Sequence, residues 1–199
     1  KGLLIIEVKG IYGTSKDSEC SQIEKIKHRR EKERKKWDVY ALYVVNHQRG
    51  IEPTRRENPP FNNRQIEDAI SDERGLLTTW QLYSIFQAIE FGVISKEKVR
   101  QDLLNNGNIL FVPDLVRELN TPYKSWKDGL VLGIDVNTQV SINDEIFVEN
   151  NGCWFAARIA NLQQENKDLE FVSSGKTGVK LSKKLPKGKI YVKHIESNE

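Results

Sequence analysis

The sequence predicts an α/β domain followed by a small all-β module, and three observations carry that reading. Residues 3–8 (Leu-Leu-Ile-Ile-Glu-Val) and 39–45 (Val-Tyr-Ala-Leu-Tyr-Val-Val) are near-continuous apolar runs separated by a densely charged helical stretch. Strands buried in parallel or mixed sheets read this way, and the helix between them supplies the crossover. After about Asp128 the texture changes to short β-rich pieces at 129–134, 145–148, 154–162, 169–172, 178–180 and 189–192, divided by Gly, Asn and Lys turns. Short strands at such spacing indicate a sandwich or small barrel.

Each element has a local reason. The run 3–8 is expected to be a central strand buried on both faces, and Gly10 and Gly13 punctuate the turn after it. Asp17 or Ser18, with Ser21 as the alternative, caps a helix reaching about Trp37, whose apolar positions (Cys20, Ile23, Ile26) pack along one edge only. Residues 46–62 hold three prolines and many polar groups and read as a long surface loop, a kind of segment that often carries function. A helix follows over 63–73, then a short strand over 75–78. Thr78 or Thr79 caps the next helix, where Leu82, Ile85, Phe86 and Ile89 recur at helical spacing. Ser95 opens a further helix, with Glu97 in its first turn and Gly107 near its end. The order strand, helix, strand, helix, strand, helix sets domain boundaries at 1–127 and 128–199, with a hinge over 112–127.

Composition narrows the function classes. Apolar residues are 38% and charged residues 30% of the 199, polar for a globular chain but not disordered, because apolar runs are frequent. No stretch approaches the roughly 18 apolar residues that span a bilayer, so no membrane partner is expected and a cytoplasmic location is. Cys20 and Cys153 lie far apart and match no zinc pattern, which suits a reducing compartment. Neither they nor the serines find a partnered histidine in a nucleophilic arrangement, and His28, His47 and His194 lack metal-ligand spacing. The net charge of +3 suits a nucleic-acid partner without requiring one. The chain enters an apolar strand at once and contains no methionine; the expectation is that residues precede Lys1 in a parent protein.

Glu7-Val8-Lys9 carries the chemistry. In a strand, residues i and i+2 face the same side, so Glu7 and Lys9 project together while Val8 faces away. A carboxylate is a hard oxygen ligand for Mg²⁺ (or Mn²⁺), and a neighbouring ammonium can hold a water or offset charge on a phosphate. The competing reading is an exposed Glu–Lys pair of little energetic weight.

The strand Leu3-Leu4-Ile5-Ile6-Glu7-Val8-Lys9-Gly10, the charged helix, and Tyr40-Ala41-Leu42-Tyr43-Val44-Val45-Asn46 resemble the PD-(D/E)xK, or restriction-endonuclease-like, nucleases over about residues 1–90. The resemblance implies a mixed sheet with flanking helices, here without the N-terminal part of its core. It implies Glu7 as a metal ligand, Lys9 as the catalytic lysine and Gln22 as a third catalytic residue on the following helix. It also implies an Asp on a preceding strand, expected among residues upstream of Lys1 and so not assigned here. The implied activity is metal-dependent phosphodiester hydrolysis of nucleic acid, DNA first. A catalytically inactive nucleic-acid-binding or protein-interaction module is the alternative. A homo-oligomer, or a partner segment or chain that completes the sheet, is the protein partner that this reading leaves.

The cations add to it. Lys25, Arg29 and Lys32 share a helix face by i, i+3/i+4 spacing and can contact phosphates; the alternative is a solvated face laced with ion pairs. Arg49, just past the second strand, can grip a phosphate, whereas Arg55 and Arg56 read as loop solubility. Finally, Val140–Val148, Trp154–Ile159, Gly178–Leu181 and Pro186–Tyr191 resemble the small second-domain barrel of translation GTPases such as EF-Tu. That resemblance implies either an RNA-end binding surface or, as preferred here, a packing module.

Overall fold

The structure is a computed structural model, and residues 2–193 are described. They divide into two compact units, 1–86 with 96–112, and 87–95 with 113–199. Among the described residues no helix is long and apolar enough to cross a membrane.

The first unit is built on strands β1 (Leu3–Gly10), β2 (Val39–Asn46), β3 (Arg74–Thr78) and β4 (Gly107–Asn108), in the order β1-β2-β3-β4 and parallel throughout, where a mixed sheet was expected. Helices α1 (Asp17–Cys20) and α2 (Gln22–Arg34) link β1 to β2, and α3 (Asn63–Ser71) links β2 to β3. Helices α4 (Thr79–Glu90) and α5 (Lys96–Asp102) precede β4. The single helix expected to run from residue 17 to 37 is interrupted at Ser21, and Lys35 stops it in a left-handed conformation. Asn62 caps α3 with a reciprocal box, its side chain accepting from the Gln65 N–H while Gln65 Oε1 accepts from the Asn62 N–H. Thr78 and Gln81 form the same box at the start of α4.

Two apolar layers flank the sheet. Ile5, Ala41, Tyr43, Val45 and Leu76 pack with Cys20, Ile23 and Ala69 from the helices on one face. Leu42, Val44, Leu77 and Ile109 pack with Leu4, Leu82 and Leu103 on the other. β1 departs from expectation: it is an edge strand of the described sheet, with Ile6 and Val8 53% and 65% exposed. An apolar run does not distinguish a central strand from an edge strand covered on one face, and the residues beyond Ile5 that point to the second face find no helix above them.

The second unit is all-β apart from residues 87–95. It contains β5 (Arg117–Leu119), β6 (Lys124–Trp126), β7 (Val131–Val136), β8 (Val140–Ser141) and β9 (Glu145–Asn150). The long β10 (Cys153–Gln164) follows, then β11 (Lys167–Leu169), β12 (Phe171–Val172), β13 (Gly175–Leu181) and β14 (Lys189–Lys193). An antiparallel sheet runs β5-β14-β9-β10-β13-β7-β6, so among the described residues its outer strands do not meet and the barrel is open. It wraps one aliphatic core that includes Leu132, Ile134, Ile146, Val148, Ile159, Leu162 and Val192. The expected hinge over 112–127 in fact contributes β5 and β6 to this sheet. Gly129 adopts φ +87°, and a Cβ there would lie 2.0 Å from the Leu185 carbonyl oxygen, so the approach of these backbones requires glycine.

Candidate active site

The β1–β2 register sets Glu7 opposite Tyr43, Lys9 opposite Val45 and Gly10 opposite Asn46. Glu7 and Lys9 thus continue the face that Ile5, Tyr43 and Val45 line, as the two-residue period requires. Lys9 Nζ donates to Gln22 Oε1 at 2.7 Å and lies 3.4 Å from Glu7 Oε1. The three residues named from sequence as catalytic therefore meet at one point, where the end of β1 passes the first residue of α2. Both charged side chains are largely covered, Lys9 27% and Glu7 17% exposed, so their charges are less screened than at an open surface.

The second oxygen of Glu7 is the telling atom. Oε2 is buried and has no hydrogen-bond partner among the described residues. A buried carboxylate oxygen left unpaired is costly, and such groups ask for an explanation such as an ion or a catalytic role. A divalent cation fits it: Mg²⁺ is held by one or two carboxylates with waters completing its shell. Among the described residues no group of three or more His, Cys, Asp or Glu side chains is placed to hold a metal.

Behind the site a polar network fixes the turn that follows Lys9. Ser15 Oγ and Tyr43 Oη are 3.1 Å apart in the interior. Gln65 Nε2 donates to the Ser15 carbonyl at 2.7 Å and to Asp17 Oδ1 at 3.0 Å. Burial pushes the Tyr43 phenol up to about 12, so it keeps its proton. The Cys20 thiol is likewise pushed up to about 11 by burial, which removes it as a nucleophile; Cys20 and Cys153 are both free.

Helix α2 carries the cations in two classes. Ile23, Lys27 and Glu31 are buried, at i, i+4, i+8. Lys27 Nζ donates to Glu73 Oε2 at 2.9 Å and lies 3.9 Å from Glu31. His28 pairs with Glu24 and Glu31, and Arg30 with Glu33. The glutamates that dilute the helix in sequence are thus engaged by other side chains of the helix. Lys25, Arg29 and Lys32 are exposed on the side opposite Ile23 and Lys27, with no ion pair among the described residues. With Gln22 they form a stripe about 15 Å long at 1.5 Å per residue, starting at the site. Arg49 comes from the other side: its guanidinium lies 4.1 Å above the Tyr12 ring and 3.7 Å from where a Gly10 Cβ would stand. His28 and His47 sit in separate environments, and His194 lies outside the described residues.

Sequence reasoning missed Tyr12, read Arg56 as loop solubility and left Asn46 as a polar residue at a strand end. Tyr12 carries Arg49. Asn46 Oδ1 accepts from Arg56 Nη1 at 2.5 Å, and Arg56 Nε donates to the Ile51 carbonyl at 2.8 Å. Arg56 is therefore fixed, unlike Arg55, whose side chain is 80% exposed. The sequence offers one signal for this, a polar residue at the end of a parallel strand, where ligands of such sheets gather.

No family model matches the chain, and no curated protein matches it. Among solved structures, the C-terminal domain of a U32 peptidase of Geobacillus thermoleovorans is similar with a TM-score of 0.33 at 11% identity, over 39% of this chain and 93% of that one. Translation elongation factor SelB of Methanococcus maripaludis gives 0.30 at 10% identity, over 96% of this chain and 41% of that one. A bacterial selenocysteine-specific elongation factor, EF-Sec, gives 0.29 at 12% identity, over 78% of this chain and 26% of that one. None of the three is named as a nuclease, and similarities at these scores carry no functional meaning for this chain.

Proposed function

We propose that the first unit hydrolyses phosphodiester bonds in nucleic acid, DNA being the expected substrate, with Glu7, Lys9 and Gln22 at the centre of a restriction-endonuclease-like site. The observation that carries this is a convergence: one ammonium held between a glutamine and a carboxylate whose other oxygen is buried and unpaired. Gln22 fixes the Lys9 ammonium, and that ammonium, beside the scissile group, orients the attacking water and offsets the negative charge that builds on the phosphate. Glu7 would hold Mg²⁺ or Mn²⁺ through the unpaired oxygen, and the ion supplies Lewis-acid polarisation of the phosphoryl group. The stripe Lys25, Arg29, Lys32 and, just past β2, Arg49 contact flanking phosphates, which position the strand without reading its sequence.

One observation favours a binding-only reading: among the described residues no group of three or more His, Cys, Asp or Glu side chains is placed to hold a metal. Incubating the protein with supercoiled plasmid and with single-stranded circles, in Mg²⁺, in Mn²⁺ and in EDTA, separates the two. Nicking or linearisation that EDTA abolishes is the expected result. Salt-dependent binding with no cleavage under any of these conditions contradicts the hydrolase and leaves the binding module.

A further inference from the structure

The loop over 46–57 is braced from within and against the turn after Lys9. Beyond the two bonds to Arg56, Gln48 Oε1 accepts from the Glu57 N–H at 2.8 Å, and the His47 ring nitrogen Nε2 donates to the Glu57 carbonyl at 2.8 Å. Two backbone bonds tie the loop to the turn after Lys9, Arg49 N–H to the Ile11 carbonyl and Gln48 N–H to the Gly13 carbonyl, each 3.0 Å. Each side also carries a glycine beneath the other's side chain. Arg49 lies over Gly10, and Tyr12 lies over Gly50, where a Cβ would stand 3.7 Å from its ring.

This scaffold immobilises two guanidinium groups. Arg49 rests on an aromatic face, and Arg56 is held by an amide oxygen and a carbonyl oxygen. Neither is ion-paired with a carboxylate among the described residues, although Arg34, Arg74 and Arg100 each are. A structural arginine ordinarily meets a carboxylate. One fixed by neutral acceptors keeps its full charge and its remaining donors, and it loses little entropy when an anion arrives. Arg56 is anchored by Asn46 at the C-terminal end of β2; Asn46 is the register partner of Gly10, and by the two-residue period both face the side of the sheet away from Lys9.

We infer that Asn46–Arg56 and Tyr12–Arg49 form a braced phosphate subsite at the C-terminal ends of β1 and β2, gripping the backbone of the nucleic-acid strand on which the Glu7–Lys9 centre acts. This rests on the reading of the first unit as acting on nucleic acid and deepens it. Arg49 and Arg56 are binding residues, and Asn46 and Tyr12 are positioning residues.

The test is nucleic-acid binding in EDTA, so that nothing is cut, followed by fluorescence anisotropy of a labelled duplex and a labelled single strand from about 50 to about 300 mM salt. Asn46→Asp is the informative variant. It is isosteric and keeps the acceptor for Arg56, but gives that arginine a counter-ion. Arg56→Gln removes the charge outright, and Arg55→Gln removes a neighbouring charge of the ordinary kind; thermal melts confirm that each variant folds. Asn46→Asp and Arg56→Gln are each expected to weaken binding about tenfold and to lower the log–log salt slope by about 1. Tyr12→Leu is expected to weaken it about threefold by freeing Arg49, and Arg55→Gln to change neither quantity. Parental affinity and slope in folded Asn46→Asp overturn the subsite. A protein that shows this Asn46 and Arg56 dependence yet cuts nothing in Mg²⁺ or Mn²⁺ refutes the hydrolase and supports the subsite. One that cuts but is indifferent to Asn46→Asp does the reverse.

Discussion

The two units bury polar groups differently. In the first unit the interior includes Ser15, Lys27, Glu31, His47, Gln65, Arg74, Thr78 and Asp102; in the second, Asp144 and Thr177 alone are buried among the described polar side chains. Those two are satisfied. Asp144 Oδ2 accepts from the Ser141 N–H at 2.8 Å, and Thr177 Oγ1 donates to the Gly175 carbonyl at 3.0 Å. The buried polar atoms without a partner among the described residues, on Glu7, His47, Asp102 and Asn108, all belong to the first unit. Polar groups buried at a cost persist where something other than stability keeps them. The contrast supports the proposal of a site on the parallel sheet, and the barrel is a conventionally packed body.

The comparison can be broken from either side, and the largest effect belongs to the barrel. Ile146 is fully buried in the aliphatic core, so Ile146→Ala is expected to cost about 3 kcal/mol of stability. Below the melting range it should leave cleavage at the parental rate, as paired denaturation and plasmid assays would show. A comparable loss of cleavage would make the barrel part of the chemistry.

Gln65 supplies the next effect. Its side chain joins the α3 cap to the turn behind Lys9, so Gln65→Ala is expected to cost about 2 kcal/mol and to slow cleavage as well. A melt together with a rate measurement tests both halves. Replacing Lys25, Arg29 and Lys32 by Ala is expected to change stability by less than about 0.5 kcal/mol, because none is ion-paired among the described residues. It should lower the salt slope of nucleic-acid binding by about 1 for each phosphate that these cations neutralise.

His47 supplies an effect that depends on pH. Nε2 donates to the Glu57 carbonyl, Nδ1 is buried without a partner, and burial holds the ring below its ordinary value of 6.5. The native state thus binds fewer protons than the unfolded one. Its contribution is whole above the unfolded value of 6.5 and is lost as pH falls from there through the depressed native value. Melting temperature should drop between pH 7.5 and 5.5 in the parent by more than in His47→Asn, a comparison in which roughly 1 kcal/mol is at stake for each unit of pKa displacement. Equal drops would contradict a neutral buried ring.

Much of this was legible in the sequence, and the exceptions share a cause. The strand period placed Glu7 and Lys9 on one face, and the apolar runs gave β1, β2 and β3. The spacing of short β-rich pieces gave the strands after Asp128. What escaped were features set by non-local packing. The apolar content of β1 was legible but its edge position was not, since Ile6 and Val8 would look the same beneath a helix. Lys27 and Glu31 sit in a run of charges yet are interior, because Glu73 comes from another element to meet Lys27. The difference between Arg55 and Arg56 lies in two acceptors brought to Arg56 by a folded loop, and composition counts both simply as loop arginines. β5 and β6 are too short, at 3 residues each, to stand out from turns.

The claim that Glu7 and Lys9 jointly make the reactive centre is tested most directly by plasmid cleavage in Mg²⁺ and Mn²⁺ by the parent, Glu7→Ala and Lys9→Ala, with melts to show that each is folded. Losses of about 100-fold or more in both variants, at parental thermal stability, are expected from removing a metal ligand or a charge-stabilising cation. Cleavage by either variant at the parental rate contradicts the site.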